Sequence, residues 1–240
     1  MLKLDILVLP VHPDDAELNC SGTLLKHIAL GKKVGIVDLT RGELGTRGSA
    51  EIRDREAALS SEILGVHVRE NLALPDGFFE NTRQYQLKVI EAIRKYQPEI
   101  VIGNAYHDRH PDHGRAGELI ETAAFLAGLR KIATFAGGIA QTEWRPKHVL
   151  HFIQDTYIRP DIIIDITGYW DKKVESINAF GSQFFNPGWE EEPQTYISSP
   201  DFIPIIEARA REFGKVIGAR YGEGFTSRKI LGVNSLFDLL

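Results

Sequence analysis

His12-Pro13-Asp14-Asp15-Ala16-Glu17 comes directly after a short apolar run over residues 4–11, and the predicted architecture depends on this junction. The run is rich in aliphatic residues and interrupted by Pro, which indicates a buried strand. A second such run, residues 99–104, leads into a cluster of His and Asp at residues 107–113. Because ligands of open α/β sheets bind outside the carboxyl ends of the strands, we expect both clusters at one sheet edge.

The segments that follow the first motif alternate between helix and strand. Apolar residues recur at helical spacing over residues 20–30, and a strand is predicted at 34–39, which makes a βαβ unit with parallel strands. Further helices are predicted at 51–64, 85–96, 114–129, 171–180 and 205–219, and further strands at 66–74, 146–154 and 161–167. The sequence therefore predicts a single α/β domain over residues 1–240, with a mostly parallel sheet flanked by helices.

Three residues of the two clusters could meet on one metal ion: His12, Asp15 and His113. A catalytic zinc takes three protein ligands from His and carboxylate groups and leaves a fourth position for water. Two imidazoles and one carboxylate suit Zn²⁺, whereas Mg²⁺ would need more oxygen ligands, and Fe²⁺ or Co²⁺ could occupy the same site. The pattern thus predicts a hydrolytic metal site.

The remaining polar residues of the clusters have candidate roles around such a metal. Asp14 is not needed as a metal ligand and could take a proton from the metal-activated water. His110 could stabilise or protonate the group under attack, and Asp112 is interpreted as the partner that orients His110. The alternative is that the clusters are only helix N-caps, made by Asp14 or Asp15 in the first helix and by Asp112 in the later one.

Both motifs resemble those of the LmbE/PIG-L family of zinc-dependent N-acetylglucosaminide deacetylases. The similarity rests on residues 11–17, followed by Gly22-Thr23-Leu24, and on His110-Pro111-Asp112-His113; residues 74–77 and 222–225 also resemble family segments. Within the family, the chain is most similar to the deacetylase of bacillithiol biosynthesis, which acts on N-acetylglucosaminyl malate.

The resemblance carries expectations for the site and the assembly. It implies a Rossmann-like fold and one zinc ion per chain, held by His12, Asp15 and His113, with Asp14 as the general base. It also implies a homo-oligomer, a trimer or a hexamer. Residues 184–204, with their Glu190-Glu191-Glu192 run, are predicted to be irregular and to form either a contact surface of that assembly or part of the pocket rim.

Three arginines are candidate substrate ligands: Arg47 in the glycine-rich loop over residues 40–50, Arg53 in the helix after it, and Arg109 in the second motif. The acidic residues of the motifs are expected to bind the metal, transfer a proton or cap a helix. These arginines therefore remain available to bind an anionic group of the substrate. The two carboxylates of a malate aglycone could be bound by Arg in bidentate fashion. Glu17 is interpreted either as an outer partner of the site or as a helix-start charge.

The expected reaction is amide hydrolysis that removes the acetyl group from an N-acetylglucosamine conjugate. A deacetylase of another N-acetylglucosamine derivative such as chitobiose remains open, as does a metal-dependent phosphoesterase, which usually needs two metals. A nucleotide-binding module would suit the sheet, but the first turn lacks Gly-x-Gly-x-x-Gly. A pure scaffold protein would tolerate Asp14→Ala without functional loss.

Composition excludes several broad classes. The 240 residues are 43% hydrophobic and 25% charged, which is ordinary for a folded globular protein. A net charge of -5 argues against nucleic acid as a partner. No apolar run reaches the ~18 residues of a membrane helix, and no secretory signal is apparent. With Cys20 as the single cysteine, a reducing compartment is expected, and the chain is predicted to be cytoplasmic.

Overall fold

A seven-stranded sheet organises the chain, which the computed structural model describes over residues 2–187 and 193–239. Its strands are β1 (Ile6–Leu9), β2 (Val34–Asp38), β3 (Val68–Asn71), β4 (Ile100–Gly103), β7 (His148–Phe152), β8 (Ile162–Asp165) and β9 (Gly222–Thr226), and a separate hairpin is formed by β5 (Phe135–Ala136) and β6 (Ile139–Ala140). The order across the sheet is β3-β2-β1-β4-β7-β9-β8. The first five of these are parallel, and β9 runs antiparallel to both its neighbours. The predicted mostly parallel α/β fold is confirmed.

Helices cover both faces of this sheet. In the described part of the chain they are α1 (Asp15–Ala29), α2 (Ala50–Leu64), α3 (Arg83–Tyr96), α4 (Pro111–Ala127), α5 (Trp170–Asn178) and α6 (Phe202–Val216). Alternate residues of β1 divide the core: Leu7 and Leu9 pack in the cluster that contains α3 and α4, while Ile6 and Val8 pack in the cluster that contains α1. This alternation is the two-residue period of a strand that is buried on both faces. None of the described helices has the length and apolar character needed to cross a membrane.

The order in which strands are added to the sheet reverses between the neighbouring strands β1 and β4. From β1 the chain proceeds to β2 on one side and returns to β4 on the other, with Leu9 beside Gly103 in the parallel register. A Cβ atom at Gly103 would lie 2.6 Å from Cδ1 of Ile120, so the absence of a side chain allows α4 to pack closely on β4. Two neighbouring strands therefore end at one crevice, and each of them is followed by one of the His and Asp clusters.

A buried ion pair attaches the C-terminal part of the chain to α1. The carboxylate of Glu223, on β9, accepts hydrogen bonds from the amides of Gly22 and Thr23, in the middle of α1, at 3.0 and 2.7 Å. Lys173 of α5 donates to Glu223 at 2.7 Å and to two carbonyl oxygens of α1 at 3.1 and 2.7 Å. The helix that begins with the first motif is thus held in position from two other elements.

Every predicted helix and strand has a counterpart with bounds shifted by a few residues, but two features were not predicted. These are β9 and the small β5–β6 hairpin. The stretch 184–204, predicted as irregular, contains a short 3₁₀ turn at Tyr196–Ser198 and the start of α6. Its Glu190-Glu191-Glu192 run lies outside the described residues, so its proposed role as a contact surface stays a prediction.

Candidate active site

His12, Asp15 and His113 come together where β1 and β4 end. Nδ1 of His12 lies 3.6 Å from Oδ2 of Asp15, and Nε2 of His113 lies 3.4 Å from Oδ1 of the same carboxylate. The three residues each offer one ligand atom, and these atoms lie within 4.8 Å of one another. A tetrahedral zinc with bonds of about 2.0–2.2 Å would separate its ligand atoms by roughly 3.4 Å. The donor set therefore fits one metal ion with a further position open to the cavity.

Two side-chain amides fix the carboxylate of Asp15. Asn104, at the end of β4, donates to its Oδ2 at 3.0 Å, and Gln154 donates to its Oδ1 at 3.1 Å. Asn104 also donates to the side-chain oxygen of Gln154 at 3.0 Å, which links the two amides. Because both partners are neutral, they orient Asp15 without neutralising the charge that a metal would require.

A carboxylate holds each of the two histidines from the side away from Asp15. Oδ2 of Asp108 lies 2.5 Å from Nδ1 of His113, and Oδ1 of Asp76 lies 3.0 Å from Nε2 of His12. These contacts favour a proton on Nδ1 of His113 and on Nε2 of His12, which leaves the opposite nitrogen of each ring as the one that could bind a metal. The arrangement is the carboxylate–histidine pairing that metal sites use to set the tautomer.

The electrostatics of this cluster favour a cation. Burial opposes the charged form of both rings, yet the surrounding carboxylates raise the pKa of His12 to about 10 and that of His113 to about 9. Burial also opposes ionisation of the outer carboxyls, but their hydrogen bonds with the histidines lower the pKa of Asp76 and of Asp108 to about 2. Carboxylates that surround two rings in this way require positive charge between them, which a bound metal ion would supply.

Asp14 occupies a strained backbone position at the cavity wall. Its φ is 146° and its ψ is -25°, and although it is the N-cap residue of α1, its side chain makes no cap hydrogen bond. Burial raises the pKa of Asp14 to about 7, and the positive charge of Arg53 partly offsets this effect. Strain of this kind costs about 1–3 kcal/mol and persists only where the surrounding structure imposes it. The capping interpretation therefore does not explain Asp14, and its carboxyl is available to the cavity.

His110 is held as a neutral hydrogen-bond donor. It is the N-cap residue of α4, and its Nδ1 accepts the backbone N–H of Asp112 at 3.3 Å. Burial and the neighbouring histidines lower the pKa of His110, which favours the neutral ring. Since Nδ1 acts as an acceptor, the proton lies on Nε2, and His110 can donate it to a substrate oxygen.

The side chain of Asp112 serves a different purpose from the predicted one. Its Oδ2 accepts the backbone N–H of Gly77 at 2.8 Å, and its Oδ1 accepts from Arg115 at 2.5 Å. The hydrogen bond between Asp112 and His110 is made by the backbone N–H of Asp112, which donates to Nδ1 of His110. His12, His110 and Asp112 also bring ligand atoms within 4.8 Å. However, the carboxylate of Asp112 is already paired with the guanidinium of Arg115, whereas the side-chain amides that hold Asp15 are neutral, so the set with Asp15 is better suited to a metal.

The three predicted arginines occupy different positions. Arg53 lies in the cavity wall, is 6% exposed and donates to the side chain of Gln183. Arg109 lies at the mouth with 59% of its side chain exposed, and its Nε donates to Asp155 at 3.1 Å. Arg47 is buried behind the wall, where its carbonyl oxygen accepts from Gln183 at 2.8 Å. The structure thus brings two of the three arginines to the cavity.

Glu17 belongs to a buried ionic network beneath the site. It is fully buried, and its Oε1 accepts from Ser60 at 2.6 Å and from Arg69 at 2.5 Å. Arg69 also pairs with Asp38 at 2.8 Å. These contacts join α1 to α2 and to the adjacent strands, which gives Glu17 a packing role.

The cavity above the metal residues has a volume of about 480 Å³. One wall is apolar and comes mainly from α6 and the turn before it: Leu18, Ile197, Phe202, Ile205 and Ile206. The mouth carries polar groups, among them Arg109, Asp155 and Arg209. A monosaccharide with a small substituent fits a volume of this order.

Sequence reasoning missed the residues that hold the ligands. Asp108 lies within the second motif and Asp76 within Pro75-Asp76-Gly77, so proximity to a motif and a turn signal were the clues available. Asn104 and Gln154 follow β4 and β7, which are adjacent strands. Their contact with Asp15 depends on strand order, which local spacing does not reveal.

Comparison with known proteins places this arrangement among related chains. A family model described as PIG-L, GlcNAc-PI de-N-acetylase, matches residues 7–124. The chain is 29% identical to the diacetylchitobiose deacetylase of Thermococcus kodakarensis over 91% of its own length and 81% of that protein. It is 26% identical to the 4-oxalmesaconate hydratase of Pseudomonas putida (74% and 73% covered). It is 27% identical to the probable N-acetyl-alpha-D-glucosaminyl L-malate deacetylase 2 of Bacillus anthracis (75% and 81% covered).

Among solved structures, the conserved protein TT1542 from Thermus thermophilus superposes with a TM-score of 0.84 at 34% identity, with 96% of this chain and 98% of that one covered.

Proposed function

This chain belongs to the PIG-L family, and on that premise we propose that it is a zinc-dependent deacetylase of N-acetylglucosaminyl malate. The observation that carries the proposal is the combination of His12, Asp15 and His113 with Asp14 and His110 at the floor of one cavity. A metal-ligand set, a candidate base and a neutral donor that converge on one open space are the parts that amide hydrolysis needs.

The chain's own groups divide the reaction between them. His12, Asp15 and His113 would hold the metal, which when bound supplies a Lewis acid that activates water and polarises the acetamide carbonyl. The carboxylate of Asp14 takes a proton from the attacking water. Nε2–H of His110 donates to the acetamide oxygen as negative charge develops there. Asp14 then returns its proton to the sugar nitrogen, the C–N bond breaks, and acetate and the free amine leave.

The choice of the malate conjugate rests on the charge at the cavity. Arg53 in the wall and Arg109 at the mouth are cations that a neutral disaccharide does not require. A malate aglycone carries two carboxylates, and a guanidinium binds a carboxylate through two parallel hydrogen bonds. The B. anthracis relative, whose name contains the same conjugate, is consistent with this choice.

The chemistry of the ligands favours zinc, and Fe²⁺ or Co²⁺ would suit the same donors. A cytoplasmic location is proposed because a chain with a single cysteine suits a reducing compartment. A homo-oligomeric assembly, a trimer or a hexamer, is proposed on the family resemblance alone.

An acetate-release assay tests the proposed function. The purified protein is given N-acetylglucosaminyl malate, N,N'-diacetylchitobiose and N-acetylglucosamine, and metal content is measured on the same sample. We expect one metal ion per chain, with acetate and amine released in equal amounts and fastest from the malate conjugate. Equal efficiency on all three substrates would contradict the malate assignment, and release of no acetate from any of them would contradict the deacetylase assignment.

Disaccharide deacetylation is the second candidate, since the T. kodakarensis relative at 29% identity is named for diacetylchitobiose. A higher kcat/KM on diacetylchitobiose than on the malate conjugate would establish it. Water addition to an unsaturated acid, as named for the P. putida relative, releases no acetate, so the same assay separates it from both.

A further inference from the structure

We propose that Arg209 of α6 joins Arg109 in a carboxylate-binding subsite at the cavity mouth, and that this subsite selects an anionic aglycone. The inference rests on the proposed function, because it assumes that the acetamide of the sugar lies at the metal residues. Nothing in the sequence pattern marked Arg209. It lines the same cavity as Arg109 of the second motif.

One acidic residue holds both guanidinium groups. The side chain of Asp155 accepts from Nε of Arg109 at 3.1 Å, and its carbonyl oxygen accepts from Nη2 of Arg209 at 2.8 Å. Arg109 comes from the segment before α4 and Arg209 from α6, so two separate elements bring their cations to one residue. Both arginines also line the cavity.

Arg209 has no ion-pair partner within the described part of the chain. Among the described residues, no carboxylate lies within 4.0 Å of the guanidinium of Arg209, and Asp155 is paired with Arg109. Of these three charged groups, two are positive and one is negative. By contrast Arg211, on the same helix, pairs with Glu207 at 2.7 Å.

An aromatic ring contacts one guanidinium of the pair. The guanidinium of Arg109 lies 5.0 Å from the ring centroid of Tyr196, an arrangement typical of a cation–π contact. Arg109 is thereby held between the ring and Asp155, although much of its side chain is exposed. A positioned pair of guanidiniums loses less side-chain entropy on binding an anion than two mobile side chains would.

The geometry of the sugar connects this subsite to the metal. In N-acetylglucosamine conjugates the aglycone is attached to C1 and the acetamide to the neighbouring C2. An acetamide at the cavity floor therefore directs the aglycone along the wall of the same cavity. A carboxylate on that aglycone can then meet Arg109 and Arg209, whereas a neutral aglycone leaves them solvated.

The selectivity of Arg209→Ala tests the subsite. The parent and the variant are assayed on N-acetylglucosaminyl malate and on methyl N-acetylglucosaminide, which differ in the charge of the aglycone. We expect the ratio of kcat/KM for the malate conjugate to kcat/KM for the methyl glycoside to fall about 10–100-fold, the usual range for a hydrogen bond to a charged group. The loss should appear mainly in KM. The ratio for Arg209→Lys should lie between those of the parent and of Arg209→Ala. The matched control is Arg211→Ala, which removes an ion-paired arginine of the same helix and should leave the ratio unchanged.

An unchanged ratio would overturn the proposal. If kcat/KM falls equally on both substrates, the role of Arg209 is structural. Calorimetry with L-malate separates the subsite from the proposed function because it needs no turnover. Binding by the parent and its loss in Arg209→Ala would support the subsite even if no acetate is released. If no substrate is turned over, absence of malate binding by the parent would overturn it.

Discussion

The floor of the cavity and its mouth are built in opposite ways. At the floor, each of His12, Asp15 and His113 is held by a further hydrogen-bonded side chain, and no more than 12% of any of these side chains is exposed. At the mouth, Arg109 is 59% exposed and is held by one carboxylate and one ring. Substitution of a side chain that is fixed by several partners disturbs the whole group of contacts and should abolish function. Substitution of a solvent-exposed side chain removes a single contact and should only weaken substrate binding. We therefore expect the floor to determine the reaction and the mouth to determine the substrate.

Removing a metal ligand should have the largest effect. His113→Ala should abolish both bound metal and acetate release, because two remaining protein ligands do not hold the ion. Metal analysis and the acetate assay on one sample measure the two losses together. His107→Ala, in an exposed position of the same segment, is the control and should retain both. Full metal occupancy in His113→Ala would remove this residue from the ligand set.

The proposed base comes next. Asp14→Asn should keep the metal but lose rate by roughly 10²–10⁴-fold, the range typical of a missing acid–base group. Retention of metal is the distinguishing result, because Asp14 is expected to contact the water and not the ion. If the variant loses its metal instead, the roles of Asp14 and Asp15 must be exchanged.

The pH profile provides a second measurement on the same variant. A base acts only when it is ionised, and burial raises the pKa of Asp14 to about 7. The value of kcat/KM in the parent should therefore rise as pH increases toward neutrality, and a bound cation would shift this limb to lower pH. Asp14→Asn should lack the limb. A profile with the same acidic limb in both proteins would assign the titration to another group.

The partner of a ligand should matter less than the ligand itself. Asp108→Asn removes the charge that fixes Nδ1–H of His113, so metal affinity should fall about 10–100-fold. Competition with a metal-binding dye measures the change. Asp171→Asn, at an exposed position of α5, is the matched control. An unchanged affinity would mean that Asn104 and Gln154 alone suffice to keep the site ordered.

The smallest effect is expected at the mouth. Arg109→Ala should lower kcat/KM on the malate conjugate by roughly 10-fold, because this guanidinium is exposed and its interaction with an anion is partly screened. Added salt should reduce the difference between parent and variant. Kinetics at two salt concentrations provide the measurement. A loss as large as that of Asp14→Asn would remove the contrast between floor and mouth.

The sequence was informative where side chains repeat along an element. Short apolar runs predicted the parallel strands, and the carboxyl ends of two of them were correctly expected to bring the two clusters together. It was uninformative for β9, whose Gly-Glu-Gly-Phe-Thr has two glycines and little strand propensity. The partners of the ligands were also missed, because Asn104, Gln154 and Asp15 meet only through the strand order and leave no local pattern.

The contact between Glu223 and α1 joins residues that are 201 and 200 positions apart. During synthesis the first motif emerges early, yet the amides in the middle of its helix meet their carboxylate only after β9 has been made. Contacts of such long range form slowly, because a long loop must close before they can contribute. We therefore expect the metal ligands near the start of the chain to reach their final positions late in folding, when the C-terminal strand enters the sheet.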